Sequence, residues 1–250
     1  MTMRKPSPKT VNKSIKKSDE TRARMLEAAL TLFRDRGFES TTMRDIAQQA
    51  GVALGAVYYY FDSKDALVMA FYERTQMELA PLAEAALSKT QNLEARLRAL
   101  LTVKFDYFAP NRALLGALST HIDPQHPLSP FSSAGRSIRD HDISLFAGAL
   151  AGSKTRVPDD LKMHLPRLLW LYQMGLLLFW VYDRSPAQER TKQLFEISLS
   201  IVVNLIRIST LPLMRPIRRL ATDLLEIVYG DEESKPSGGR GLSLHPDPVQ

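Results

Sequence analysis

Between Thr42 and Phe61 the chain leaves room for two short helices and little else, and the residues at their ends fix where they run. Thr42-x-x-Asp45 is a capping box, in which hydroxyl and carboxylate each satisfy a backbone N–H that a helix start leaves unpaired. Met43, Ile46, Ala47 and Ala50 then share one helical face, and Gly51 ends the helix as a left-handed cap. After a short break a second helix spans Ala53 to Phe61, followed by a cap at Asp62 or Ser63 and a longer helix from Lys64 to about Leu79. Upstream, Ser18 with Asp19 and Glu20 starts a helix, Met25, Ala29, Leu32 and Phe33 form its buried stripe, and Gly37 stops it. Two short helices joined by a glycine turn form a helix-turn-helix, whose second helix enters the major groove while the first crosses the phosphate backbone.

The second of these helices raises a packing problem. At about 100° per residue, Tyr58, Tyr59, Tyr60 and Phe61 spread around the whole circumference and cannot share a buried face. Val57 and Phe61 point together toward a core, while Gly55, Ala56, Tyr59 and Tyr60 fall opposite them and Leu54 and Tyr58 lie on a flank. The small residues Ala53, Gly55 and Ala56 allow close approach of the backbone to a partner. Tyrosine hydroxyls can donate to phosphate oxygens, contacts that fix register on a duplex without reading sequence. The alternative is that the tyrosines only cap a three-helix core; their place between a helix-turn-helix and Lys64 favours the phosphate role.

From residue 75 to about 230 the chain is helix after helix, with Pro81, Pro110, Pro124, Pro127, Pro130, Pro158, Pro186 and Pro212 as punctuation and no lasting strand alternation. The expected fold is therefore all-α. Helices are expected across Arg136–Leu150, Leu161–Tyr182, Ala187–Ile208 and Leu213–Val228, with His121–Phe131 as a loop. The apolar run Leu168–Tyr182 is too short for a bilayer, which needs roughly 20 such residues, and reads as a helix buried on more than one side. Leu168, Leu171 and Phe179 on that helix, with Leu194, Ile197, Ile201 and Leu205 on the next, exceed what one core can absorb. A symmetric second copy is the commonest partner for such a surplus.

The charge is unevenly placed. The six lysines and arginines of residues 1–18 account for the whole excess of +6, and the remaining 27 basic and 27 acidic side chains cancel. The arm 1–18 is expected to be disordered in isolation, either as a nucleic-acid contact or as a solubilising tail. Residues 19–74 carry seven basic and nine acidic side chains, so a helix-turn-helix built from them is itself net negative and gains from a basic arm when it meets DNA. Residues 231–250 lack periodicity and are expected to be disordered. The absence of cysteine excludes disulfides, thiolate metal sites and a cysteine nucleophile, and with no apolar run behind the basic start a cytoplasmic protein is expected.

Within 75–230, Phe105, Phe108, Phe131, Phe146, Trp170 and Met174 are candidates for the wall of a ligand pocket, with His121, His141 and Gln173 as polar anchors; plain core is the competing assignment for each. His121, Asp123 and His126 lie in a proline-rich loop, and the adjacent Asp140, His141 and Asp142 do not converge on a helix, so no metal or cofactor is expected. No GxSxG elbow or phosphate-binding glycine loop is present, which argues against an enzyme. A helical adaptor or non-specific nucleic-acid binder is the remaining alternative.

TTMRDIAQQAGVALGAVYYYFDSKDAL, Thr41 to Leu67, together with the preceding RARMLEAALTLFRDRGFEST, resembles the DNA-binding signature of TetR/AcrR-type bacterial transcriptional regulators. The resemblance covers about 50 residues and fixes caps, glycines, aromatics and a lysine over three helices. It implies that Thr42 contacts phosphate, that Arg44 reaches a guanine, that Leu54, Gly55 and Ala56 open the base-facing side of the recognition helix, and that Tyr58, Tyr59, Tyr60 and Lys64 grip the backbone. It further implies a homodimer on double-stranded DNA whose C-terminal domain binds a small molecule; the leading expectation is a repressor on a pseudo-palindromic operator, and the apolar pocket candidates suggest a small apolar or amphipathic effector. Two positions depart from the usual pattern. Ala53 stands where a serine or threonine would cap the recognition helix, a loss of about 1 kcal/mol. Leu54 stands where a polar residue is common, leaving readout to Arg44, a thymine methyl and DNA shape.

Overall fold

A computed structural model describes residues 8–233, and among these the chain is all helix without a strand. The first four helices are α1 (Pro8–Arg36), α2 (Met43–Ala50), α3 (Leu54–Tyr60) and α4 (Lys64–Leu87). Then come α5 (Leu93–Phe108), α6 (Arg112–Leu118), α7 (Arg136–Ala151), the single turn α8 (Asp159–Lys162), α9 (Leu165–Tyr182), α10 (Glu189–Ile208) and α11 (Arg215–Glu233).

Two hydrophobic cores organise these helices. The first joins Met25, Leu30 and Phe33 of α1 to Ile46 of α2, Val57 of α3, Phe61 and the start of α4 through Leu67, Val68 and Phe71, all nearly solvent-free. Burying each such side chain contributes about 1.5–3 kcal/mol, which is how helices as short as α2 and α3 persist. The second core gathers Leu93, Leu97, Leu100 and Leu101 of α5, Phe146 of α7, Leu169 of α9, and Leu199 and Val203 of α10. Helix α4 belongs to both, since Ala83 and Leu87 at its far end enter the second core.

Three sequence expectations change. Residues 8–18, expected as part of a disordered arm, continue α1; adding turns to an existing helix avoids the nucleation cost that an isolated segment faces. Residues 1–7 and 234–250 lie outside the described residues, and with them most of the expected tail. Pro81 does not end α4, which runs through it to Leu87 because both flanks are held in cores. The helix expected from Leu161 is divided into α8 and α9, and Pro166 sits in the first turn of α9, where its missing N–H costs nothing. No single helix among the described residues is long and apolar enough to cross a membrane.

Candidate nucleic-acid interface and internal cavity

The helix-turn-helix is closed by local chemistry. Asp45 N–H donates to Thr42 Oγ1 at 3.2 Å and Thr42 N–H to Asp45 Oδ2 at 2.9 Å, completing the capping box. The Thr42 hydroxyl also donates to that carboxylate at 2.6 Å, and these bonds hold the Asp45 carboxyl below its ordinary range. Gly51 takes φ 65°, the left-handed geometry that ends α2. Ala53 begins α3 with no side-chain cap.

Thr42, Arg44, Ala53, Gly55, Tyr58 and Tyr59 are each exposed, Tyr59 by 81% and Tyr58 by 52%. Leu54 and Ala56 are half-buried and pack on the first core, so Leu54 offers an outer face only in part. Tyr60 and Lys64 are not simply held out to solvent. The Tyr60 hydroxyl lies 3.0 Å from the Ser18 hydroxyl, which fastens the N-terminal part of α1 to α3. Lys64 Nζ donates to the carbonyls of Phe38 at 2.7 Å and Glu39 at 3.3 Å and sits over the Phe38 ring, bracing the turn after α1. One of its three N–H groups is left for another acceptor.

Beyond this module lies a cavity of about 470 Å³, enclosed by α4, α5, α6, the loop 121–131, α7 and α9. Phe108, His121, Phe131, His141, Trp170, Gln173 and Met174 line it. Phe105 and Phe146 do not: Phe105 packs edge-on against Trp180 at 5.2 Å on another side of α5, and Phe146 is fully buried in the second core. His121 stacks on His126 at 4.1 Å in the loop. The sequence reading missed the wall contributed by α4, notably Tyr72 and Gln76, and a buried charge pair. Lys104 on α5 is ion-paired to Asp142 on α7, and Asp142 Oδ2 accepts from Gln173 Nε2 on α9 at 2.9 Å. Burial pushes the Lys104 ammonium below its ordinary range, while Asp142 opposes that shift. The signal was present in the sequence, because Lys104 falls on the apolar stripe Leu97, Leu100, Leu101, Phe108.

The cavity and the DNA-facing module share structure. Leu67 and Phe71 of α4 enter the first core, whereas Met69, Tyr72 and Gln76 of the same helix line the cavity. On the far side, Arg112 of α6 donates to the carbonyls of Trp180 and Asp183 at the end of α9. Of the residues expected at a subunit contact, Leu171 instead lines the cavity and Leu168 is half-buried. Phe179, Leu194, Ile197, Ile201 and Leu205 form an exposed apolar face, the last three each more than half exposed.

A helix-turn-helix module joined by a continuous helix to a cavity-bearing helical domain defines a one-chain transcriptional regulator. Residues 25–71 match the family of bacterial regulatory proteins of the tetR type, and residues 96–223 match the tetracyclin repressor-like C-terminal domain. The chain belongs to the TetR family of DNA-binding transcriptional regulators. Among its relatives are the transcriptional repressor KstR2 of Rhodococcus jostii, 34% identical over 34% of this chain and 42% of that protein, and the regulator TtgR of Pseudomonas putida, 38% identical over 32% and 39%. The chain thus matches only about two fifths of the length of these relatives. The fold is shared with FadR of Bacillus subtilis, solved with stearoyl-CoA (TM-score 0.55, 16% identity, 71% of this chain and 97% of that one). It is shared equally with FadR of Thermus thermophilus, solved with lauroyl-CoA (TM-score 0.55, 23% identity, 76% and 95%).

Proposed function

We propose that this chain is an effector-responsive repressor that binds a two-fold operator as a homodimer in the cytoplasm. Thr42, Arg44, Gly55, Tyr58 and Tyr59 meet the DNA, with Arg44 reading a guanine and the tyrosines holding phosphates. The apolar face of Phe179, Leu194, Ile197, Ile201 and Leu205 packs against its symmetric copy, which sets the two recognition helices about 34 Å apart. An apolar or amphipathic molecule in the cavity, the class that the acyl-CoA complexes of the two FadR proteins exemplify, lowers operator affinity.

The observation that carries this reading is the double membership of α4. A ligand pressing on Tyr72 or Gln76 acts on the same rigid helix that supplies Leu67 and Phe71 to the DNA-facing core. Two sites coupled through one element give a reciprocal free energy, typically 1–3 kcal/mol. The uncapped start of α3 supports one rival, a nucleic-acid binder with degenerate specificity. Selection of bound sequences from random duplex DNA, with wild type and Arg44→Ala, decides between them. A two-fold symmetric motif that loses a guanine preference in the variant supports the regulator; equal affinity for specific and random duplexes supports the rival.

A further inference from the structure

The cavity wall contains buried polar atoms whose chemistry restricts what can occupy it. Gln173 is 3% exposed, and its amide is oriented by Asp142: a carboxylate oxygen can only accept, so the side-chain nitrogen must face it. That leaves Gln173 Oε1 turned away from Asp142, buried and without a hydrogen-bond partner. The neighbouring His141 Nε2 is likewise buried and unpartnered. Of the three such atoms among the described residues, two therefore belong to residues that line one cavity. An unpaired buried acceptor costs roughly 1–3 kcal/mol, so a partner for it is worth a comparable amount.

The same cluster disfavours a charged end group at this point. The Lys104 charge is matched by Asp142 and offers no free counter-ion to a carboxylate. A carboxylate also has no proton to give Gln173 Oε1 and would lie near the Asp142 charge. A hydroxyl or a primary amide carries the donor that Oε1 lacks, and either group can also accept from or donate to His141 as its tautomer requires. Most of the remaining wall, including Trp170, Phe131 and Leu145, is apolar; Arg139, a second cation in the lining, donates to the carbonyls of Pro130 and Ser132.

We propose that the cavity selects an apolar molecule bearing one uncharged, hydrogen-bond-donating end group, a hydroxyl or an amide, which docks between Gln173 and His141. This rests on the cavity being the effector site. Displacement of the fluorescent apolar probe N-phenylnaphthylamine from the full-length protein tests both in separable ways, with decanol, decyl methyl ether and decanoate as competitors. Alcohol and ether share the chain and the oxygen, and a methyl replaces the donor hydrogen in the ether. Decanol is expected to displace the probe at about tenfold lower concentration than the ether, the worth of one buried hydrogen bond, and to outcompete decanoate as well. In Gln173→Leu the probe still binds and the alcohol-to-ether ratio falls to about one. Equal competition by ether or decanoate in the wild type overturns the proposal, as does a ratio that survives Gln173→Leu. If that variant does not fold, the wild-type alcohol–ether comparison decides alone. Failure of the probe to bind the wild type, or of any competitor to displace it, removes the effector site itself and this proposal with it.

Discussion

Arg34 Nη1 donates to Asn111 Oδ1 at 3.1 Å, a bond between residues 77 positions apart that ties the last turn of α1 to the 3₁₀ turn leading into α6. Asn111 is 7% exposed while Arg34 is exposed, so the bond is buried on one side only, and α6 beyond it contributes Leu115 and Leu118 to the cavity wall. This bond adds to the attachment of the helix-turn-helix module to the cavity through α4 and through Phe108, Leu118 and Leu128, which belong to the first core and also line the cavity.

Replacing Asn111 with Ala should loosen the second tether while leaving both sites intact. Operator affinity without effector is expected to stay within about threefold of wild type, whereas the loss of affinity caused by a cavity ligand should shrink by about 0.5–1 kcal/mol, a fraction of a typical coupling energy. Titration of labelled operator with and without ligand measures both. An undiminished ligand effect would mean that this bond carries none of the coupling.

Gly55 separates stability from DNA binding. No heavy atom lies within 4 Å of a Cβ built there, and the residue faces out from the first turn of α3. Gly55→Ala should therefore leave the thermal midpoint unchanged or raise stability by up to about 1 kcal/mol, the helical cost of glycine. Operator affinity should fall about tenfold or more, because the added methyl meets the duplex where the backbone must approach closely. Loss of stability together with affinity would show that the glycine serves the fold.

How legible was this in the chain? The ends of α2 were, because Thr42, Asp45 and Gly51 act on their immediate neighbours, and so were the outward tyrosines, because helical periodicity alone denies them one face. Pro81 misled, since local chemistry marks it as a breaker and only burial of both flanks overrides that. Phe105 and Phe108 differ by three positions, yet one lines the cavity and the other packs on Trp180; periodicity gives a face, not what lies across from it. Lys104 could be flagged as a lysine on a buried stripe, but its partner Asp142 is 38 residues away and only the fold brings them together. Spacing cannot supply that.

The exposed face of α10 predicts a dimer that a single charge can break. Ile197, Ile201 and Leu205 lie on successive turns and are 64%, 53% and 55% exposed in the single chain. Ile201→Glu should convert the protein to monomers in sedimentation while its circular dichroism stays helical, and operator affinity should fall at least a hundredfold, because one half-site contact is lost. A dimeric Ile201→Glu protein would place the interface elsewhere.

Acidification should act through Asp183, which joins α9 to α10. Its carboxylate accepts from the Thr191 hydroxyl at 2.6 Å, the Thr191 N–H at 2.9 Å and the Ser185 N–H at 2.8 Å, and these bonds, the hydroxyl first, hold it well below the usual carboxylate range. A folded-state value below the unfolded one of about 3.9 means that the carboxylate stabilises above that pH and loses its contribution as pH falls through the folded value. Asp183→Asn should therefore be less stable than wild type at neutral pH, and the gap should narrow below about pH 4. Urea midpoints at neutral and acidic pH check this; a constant gap would mean that the carboxylate charge is irrelevant.

The basic N-terminal segment gives the last prediction. Arg4, Lys5, Lys9, Lys13, Lys16 and Lys17 supply the chain's whole positive excess, and the bond between Ser18 and Tyr60 fastens α1 to α3 just after the last of them. The module behind them is net negative, so most of its attraction to a polyanion is expected from this segment. Each phosphate neutralised contributes about 0.9 to the slope of log affinity against log salt, and removal of residues 1–17 should flatten that slope by up to about five while preserving the ranking of operator over mutated operator. Affinity near physiological salt should fall while specificity persists, because phosphate contacts hold the protein on the duplex and Arg44 reads it. An unchanged slope in the truncated protein would mean that these charges never reach the duplex, and that Tyr58, Tyr59 and Lys64 carry the phosphate contacts alone.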